Sequence, residues 1–273
     1  MNKRILGLMA VAIVILTALA CSSLHAPSVR NAPASSQPAM VADCRGYAYA
    51  GLPKIEHPVV VLRNIGYVAG YSEQRRDPLW VCYRVFRVEN ESAPPRPSGF
   101  RVDERTHARV SPEDYKATGY DRGHMAPNYA IATRYGTEAQ RETFLMSNIV
   151  PQTPQLNRGL WQRLETLIAR TYAQEYEQVW VIAGPVYSRE ARALGSGVDI
   201  PVSCYGIVLD EVNGAPRVMA FVIPQDVPPD AKLEGYLQSV DDIEAMTGLD
   251  FMAGVPDEVE VRLEAQRAAC LWN

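Results

Sequence analysis

His124, one of only four histidines in the chain, closes the string Asp121-Arg122-Gly123-His124. Ser147-Asn148 follows, then Leu156-Asn157, and Glu165 lies a little beyond. Hydrolysis of a phosphodiester needs a base for water, a cation to neutralise charge on the phosphorane and leaving oxygen, and positive side chains to hold the phosphate. A neutral imidazole suits the base near neutral pH. A carboxamide oxygen is the kind of hard donor that Mg²⁺ takes while keeping several waters. On a helix, Glu165 would stand roughly 12 Å along the axis from Asn157, so contact through metal-bound water fits it better than a shared inner shell. Each residue also has a plainer reading. A lone histidine is more often structural, Asn157 could be the N-cap of a helix, and Glu165 a solvated carboxylate.

The chain of 273 residues is 47% hydrophobic, too apolar for disorder and long enough for one large domain or two small ones. A formal net charge of −4 argues against a protein that coats nucleic acid by charge alone. A locally positive groove is still available, because arginines gather near the motif: Arg84, Arg87, Arg96, Arg101, Arg105, Arg109, Arg122, Arg134 and Arg141. Most are expected on ordinary solvated surface.

Residues 1–20 read as a signal peptide, with Lys3 and Arg4 before the apolar run Ile5 to Ala20. That run is short of the ~20 residues of a membrane span. Cys21 directly after Ala18-Leu19-Ala20 resembles the lipobox of bacterial lipoproteins, although Ala18 replaces the usual leucine; ordinary cleavage is the alternative. Residues 21–42 then comprise the lipobox cysteine and a Pro/Ser/Ala-rich tether, and residues 43–273 are expected to form one domain. The expected location is extracytoplasmic: the periplasm or the outer membrane as a lipoprotein, or secreted. Of five cysteines, lipidation of Cys21 leaves four, with three connectivities. Cys44 and Cys270 could tie the termini together, while Cys82 and Cys204 lie in strand-like runs that suit buried thiols.

The elements that must carry the motif follow from periodicity. Val59 to Leu62 and Tyr67 to Tyr71 read as a hairpin, Trp80 to Val88 as a longer strand, and Ser92 to Gly99 as a Pro-rich loop. A capping-box pattern at Thr137 and Gln140 starts a short helix, and Leu160, Leu164, Leu167 and Ile168 place a second over about 157–174. Strands are expected at Val179 to Val186, Val202 to Asp210 and Arg217 to Ile223. A helix from Ser239 to Met246 and an amphipathic segment from Glu258 to Cys270 complete the chain. Strands before and after a helical middle predict an α+β domain with a mostly antiparallel sheet.

The blocks Asp121 to Pro127, Ser147 to Gln152 and Leu156-Asn157-Arg158-Gly159-Leu160-Trp161 with Leu164-Glu165 closely resemble the DNA/RNA non-specific endonucleases, the ββα-metal or His-Me finger group. The resemblance extends to Phe100-Arg101-Val102-Asp103, Ala183-Gly184-Pro185-Val186, Ile200-Pro201 and Thr247-Gly248-Leu249-Asp250, covering about residues 58–253. It implies a ββα-metal fold with a central sheet flanked by helices. His124 would be the general base and Asn157 the direct protein ligand of Mg²⁺, with Mn²⁺ as a substitute. Glu165 would hold metal waters, Asn148 support the site, Asp121 orient it and Arg122 meet the phosphate. The family's upstream arginine matches Arg96 best, with Arg101 next. Where relatives carry an arginine one helical turn after the glutamate, this chain has Ala169, with Arg170 one residue late. The implied reaction is Mg²⁺-dependent hydrolysis of DNA and RNA to 5′-phosphates, with no base-reading module in the sequence. The rival is a catalytically silent nucleic-acid-binding surface lipoprotein. DNA or RNA preference, disulfide pairing and oligomeric state, homodimer included, stay open.

Overall fold

The computed structural model describes residues 46–190 and 192–273. The expected signal peptide, Cys21, the tether and Cys44 lie outside the described residues. In chain order the elements that matter here are β1 (Val60–Asn64), β2 (Tyr67–Ser72), β3 (Asp77–Phe86), β4 (Asp121–His124), α1 (Asn128–Thr143), β5 (Ile149–Gln152), and a helical rod, α2, over residues 156–175. They continue with β6 (Gln178–Val186), β7 (Ser203–Val212), β8 (Ala215–Pro224), β9 (Leu237–Gln238), α3 (Val240–Thr247) and α4 (Asp257–Glu264).

Seven strands form one sheet in the order β9-β8-β7-β6-β3-β2-β1, antiparallel at every pairing. Side chains alternate between its faces, as the pleat requires. Val81, Tyr83 and Val85 of β3 point into one core, and Trp80 and Cys82 into the other. Both faces are covered, so the central strands read as unbroken apolar runs rather than alternating ones. Pro78 is tolerated in β3 because it falls beside the irregularity at Gly70/Tyr71, where a strand can lack an N–H.

Leu160, Leu164, Ile168 and Tyr172 press α2 onto the first face, each buried aliphatic side chain contributing about 1.5–3 kcal/mol. Val240 and Ile243 of α3 and Leu263 of α4 cover the second. The motif-bearing helix is therefore seated on the sheet by its own apolar stripe, and its other side is left for β4 and β5.

The polar string 121–124 forms strand β4, paired with β5. α1 has two helical parts, the first opened at Asn128 by Pro127 and the second, after a break at Gly136 (φ +87°), starting where the capping-box pattern places it. One expectation is corrected. The C-terminal segment leaves helix at Glu264 rather than Cys270, which lets Trp272 return to the first core against Tyr172 and Tyr176.

Candidate active site

β4 and β5 pair with Asp121 opposite Gln152 and His124 opposite Ile149, and α2 leaves the end of β5 across Thr153. A Cβ at position 123 would run into the buried Gln152 side chain, which would have to shift. Asn148, fully buried, fixes the far end of β4. Its Nδ2 donates to the carbonyls of Ala126 and Thr143, both at 3.0 Å, and its Oδ1 accepts from the Ala126 N–H at 2.8 Å. All of these bonds go to backbone, so Asn148 positions His124 and does not face a reacting group.

The start of α2 overturns the capping alternative for Asn157. Thr153 Oγ1 accepts the Leu156 N–H at 3.2 Å, and the Asn157 N–H bonds to the Thr153 carbonyl at 2.9 Å. Thr153 is thus the cap, and the Asn157 side chain is released. Its Nδ2 donates to Asp121 Oδ2 at 2.9 Å, while Arg158 grips both oxygens of the same carboxylate at 2.7 and 2.6 Å. An amide tied by its nitrogen to a carboxylate keeps its oxygen for another partner. Partial burial would raise the Asp121 pKa, but the Arg158 and Asn157 hydrogen bonds and the neighbouring arginine charges outweigh it and hold the group lowered. Asp121 is therefore ionised and holds the Asn157 amide by its nitrogen.

These side chains converge on a cleft of about 460 Å³, lined by His124, Asn157, Glu165, Arg122, Arg96 and Asp121 among others. The imidazole is 9% exposed and packs against Phe100 (centroids 5.3 Å) and Phe144 (5.1 Å). The same two rings carry the cleft arginines: Arg122 lies over Phe100 at 5.0 Å and Arg96 over Phe144 at 5.1 Å. Two phenylalanines therefore hold the imidazole and the two guanidinium groups together. Burial, and then the Arg96 charge, push the His124 pKa down to about 3, so the ring is neutral near pH 7. Burial pushes the Glu165 carboxyl up to about 8, against the weaker pull of the Trp161 indole N–H and Arg96.

Arg101 does not line the cleft, its guanidinium donating to the Arg141 carbonyl, whereas Arg96 does line it. Arg170 stacks on cleft-lining Tyr129 at 4.7 Å and lies 4.0 Å from Glu91, so it stands at the cleft margin; Ala169 is buried. Asn128, Gln162 and Phe144 escaped the sequence reading, and Phe100, quoted in the resemblance, was given no role there. For Asn128 the signal was the Pro127-Asn128 step at the start of α1. A second cavity of about 520 Å³, near His57, Arg75 and Tyr187, contains none of these groups.

The donors fit a hard divalent cation. Asn128 Oδ1 is buried without a hydrogen-bond partner, the Asn157 oxygen is left over by the tie to Asp121, and Glu165 is a half-buried carboxyl with no salt bridge among the described residues; His124 Nε2, also buried without a partner, is not one of these oxygen donors. Oxygen donors with one carboxylate are the set that magnesium accepts.

The family model for DNA/RNA non-specific endonucleases matches residues 52–258. A nuclease of Nostoc sp. is 32% identical over 212 residues, covering 73% of this chain and 76% of its own length. Mitochondrial endonuclease G of Bos taurus is 28% identical over 246 residues, 84% of this chain and 78% of its own. A crystal structure of an EndoG/EndoGI complex superimposes with a TM-score of 0.68 at 25% identity, over 78% of this chain and 92% of that one.

Proposed function

Because the chain belongs to the DNA/RNA non-specific endonuclease family and is a nuclease of ββα-metal fold, we propose that it is a Mg²⁺-dependent enzyme cutting DNA and RNA to 5′-phosphate products, exported and tethered to a membrane. The observation that carries this is the convergence of His124, Asn157 and Glu165 on one arginine-flanked cleft. His124, neutral and clamped, accepts a proton from the attacking water. Arg96 and Arg122 hold the phosphate and its developing charge. Asn157 would hold the metal through its carboxamide oxygen, and Glu165 its waters; the ion would supply charge neutralisation at the leaving oxygen. The binding-only receptor has no observation in its favour.

His124→Ala is expected to lower cleavage of plasmid and of RNA by about 10²–10⁴-fold with an unchanged circular-dichroism spectrum, and EDTA to abolish the wild-type activity. Activity that survives EDTA would overturn the metal dependence. Export rests on the leader pattern of residues 1–20, and the tether on Cys21. Among the described residues no helix is long and apolar enough to cross a membrane; in this reading the nuclease domain over 43–273 would be held through Cys21. Cys21→Ser should then move the protein from the membrane to the soluble fraction of cells, and an unchanged distribution would exclude the lipid anchor.

A further inference from the structure

Arg96 is the cleft cation with the least local support. It lies on the Pro-rich loop Ser92 to Gly99, is exposed, and makes no hydrogen bond or salt bridge among the described residues; what holds its guanidinium is the stack on Phe144. Its charge nevertheless bears on both His124 and Glu165. Between Glu89 and Gly99 the chain is hydrogen-bonded to the rest of the described residues at two places, the Pro94 carbonyl and Glu91. Gln140 Nε2 donates to the Pro94 carbonyl at 3.2 Å. Glu91 makes the stronger tie: its Oε2 accepts the Tyr129 hydroxyl at 2.8 Å, and its Oε1 accepts Gln174 Nε2 at 3.0 Å. Arg134 Nη2 and Arg170 Nε stand 3.6 and 4.0 Å from the same carboxylate.

The partners of Glu91 come from the two helices that line the cleft. Tyr129 is in the first turn of α1, next to Asn128, and faces the cleft itself. Arg170 and Gln174 belong to the far end of α2, the rod that carries Asn157 and Glu165. An exposed ion pair would contribute little, but this carboxylate is half-buried, accepts hydrogen bonds on both oxygens, and faces an Arg134 side chain that is fully buried. The stretch from Glu91 to Arg96 is short, and Pro94, Pro95 and Pro97 each fix their own φ. A stiff stretch carries the placement of its anchor forward, so where Glu91 is held sets where Arg96 is held. We propose that Glu91 is a positioning residue: its carboxylate latches the Pro-rich loop to α1 and α2, and so presents Arg96 to the phosphate of a bound polynucleotide. The inference rests on the nuclease reading above and adds to it a residue that does not line the cleft.

The test is a double-mutant cycle on the full chain, read as kcat/KM for plasmid DNA in Mg²⁺. Arg96→Ala should lower it, and Glu91→Ala should lower it by roughly 10- to 100-fold, the cost of a misplaced contact. In the Arg96→Ala background the Glu91 substitution should change almost nothing, because no guanidinium is left to place. Equal factors in both backgrounds would mean that Glu91 only supports the fold, and would overturn the proposal, as would unchanged turnover in either single variant. Tyr129→Phe is the milder variant for the same cycle. It removes one donor to Glu91, keeps the ring on which Arg170 stacks, and should cost a smaller factor that likewise vanishes with Arg96. Hydrogen exchange of the protein without metal or substrate separates the latch from the nuclease reading: Glu91→Ala should speed exchange in a peptide spanning residues 89–100 and leave the sheet as in the wild type. A wild-type protein that cuts nothing would count against the nuclease reading, whereas unchanged exchange in that peptide would overturn the latch.

Discussion

His124 and Glu165 sit in one cleft, and burial moves their titrations in opposite senses, so the metal-free protein carries a readable pH signature. His124 titrates near 3 when folded against 6.5 in the free side chain. The unfolded chain therefore binds the extra proton between those values, and this group makes stability rise with pH across about 3–6.5. Glu165 titrates near 8 against 4.5. Here the folded chain holds the extra proton, and stability falls as pH rises from 4.5 to 8. The two effects oppose each other between 4.5 and 6.5, leaving the histidine visible below and the glutamate above. In EDTA, Glu165→Gln should flatten the decline of the thermal midpoint between pH 6.5 and 8, and His124→Ala the loss below 4.5. Curves parallel to the wild type in both windows would refute the burial assigned to these groups. The candidate residues were legible in the sequence through the resemblance of three ordered blocks to one family, since each of them taken alone had a plainer structural reading. The roles of Phe100 and Phe144 were not, since an aromatic ring that supports a site looks the same, residue by residue, as one that fills a core.

Thr153 and Asn157 divide between them two jobs that the sequence alone could assign to either. A threonine cap replaced by alanine costs about 1 kcal/mol, and Thr153 also donates its hydroxyl to the Gln225 carbonyl at 2.5 Å. Thr153→Ala should thus lower stability by at least that amount in urea melts. Asn157→Ala should leave the urea midpoint near wild type and remove metal-dependent cleavage; equal destabilisation by the two variants would return the cap to Asn157. The ambiguity arose because α2 opens with π-helical winding over Leu156–Trp161 and again at Ile168–Tyr172, and such windings, common at functional sites, have no local sequence signature. The apolar strands were readable for the opposite reason: burial on both faces writes itself into the residues. β4 was not, because its strand state is imposed by pairing with β5 and not by its own polar residues.

Across the molecule, an acidic chain of net charge −4 must hold a polyanion, and the arrangement of its arginines decides how. Arg158 is committed to Asp121 and Arg134 is buried against the Phe86 and Ala169 carbonyls, so neither is available as a free phosphate contact. Arg96 and Arg122 are presented on aromatic rings in the cleft without a salt bridge among the described residues, and Arg170 waits at its margin. Counterion release should then be small, because each neutralised phosphate contributes about −0.9 to the slope of log affinity against log salt. Binding of duplex DNA by the His124→Ala protein should follow a slope of about −2 to −3, and the Arg96→Ala, Arg122→Ala double variant should lose about two of it. A steep slope that survives that double variant would place the polyanion on some other surface. A shallow one follows from the cleft itself: a site that reads only the backbone needs to hold little more than the phosphate it cuts, and can do so on a surface whose remaining charge repels the rest of the strand.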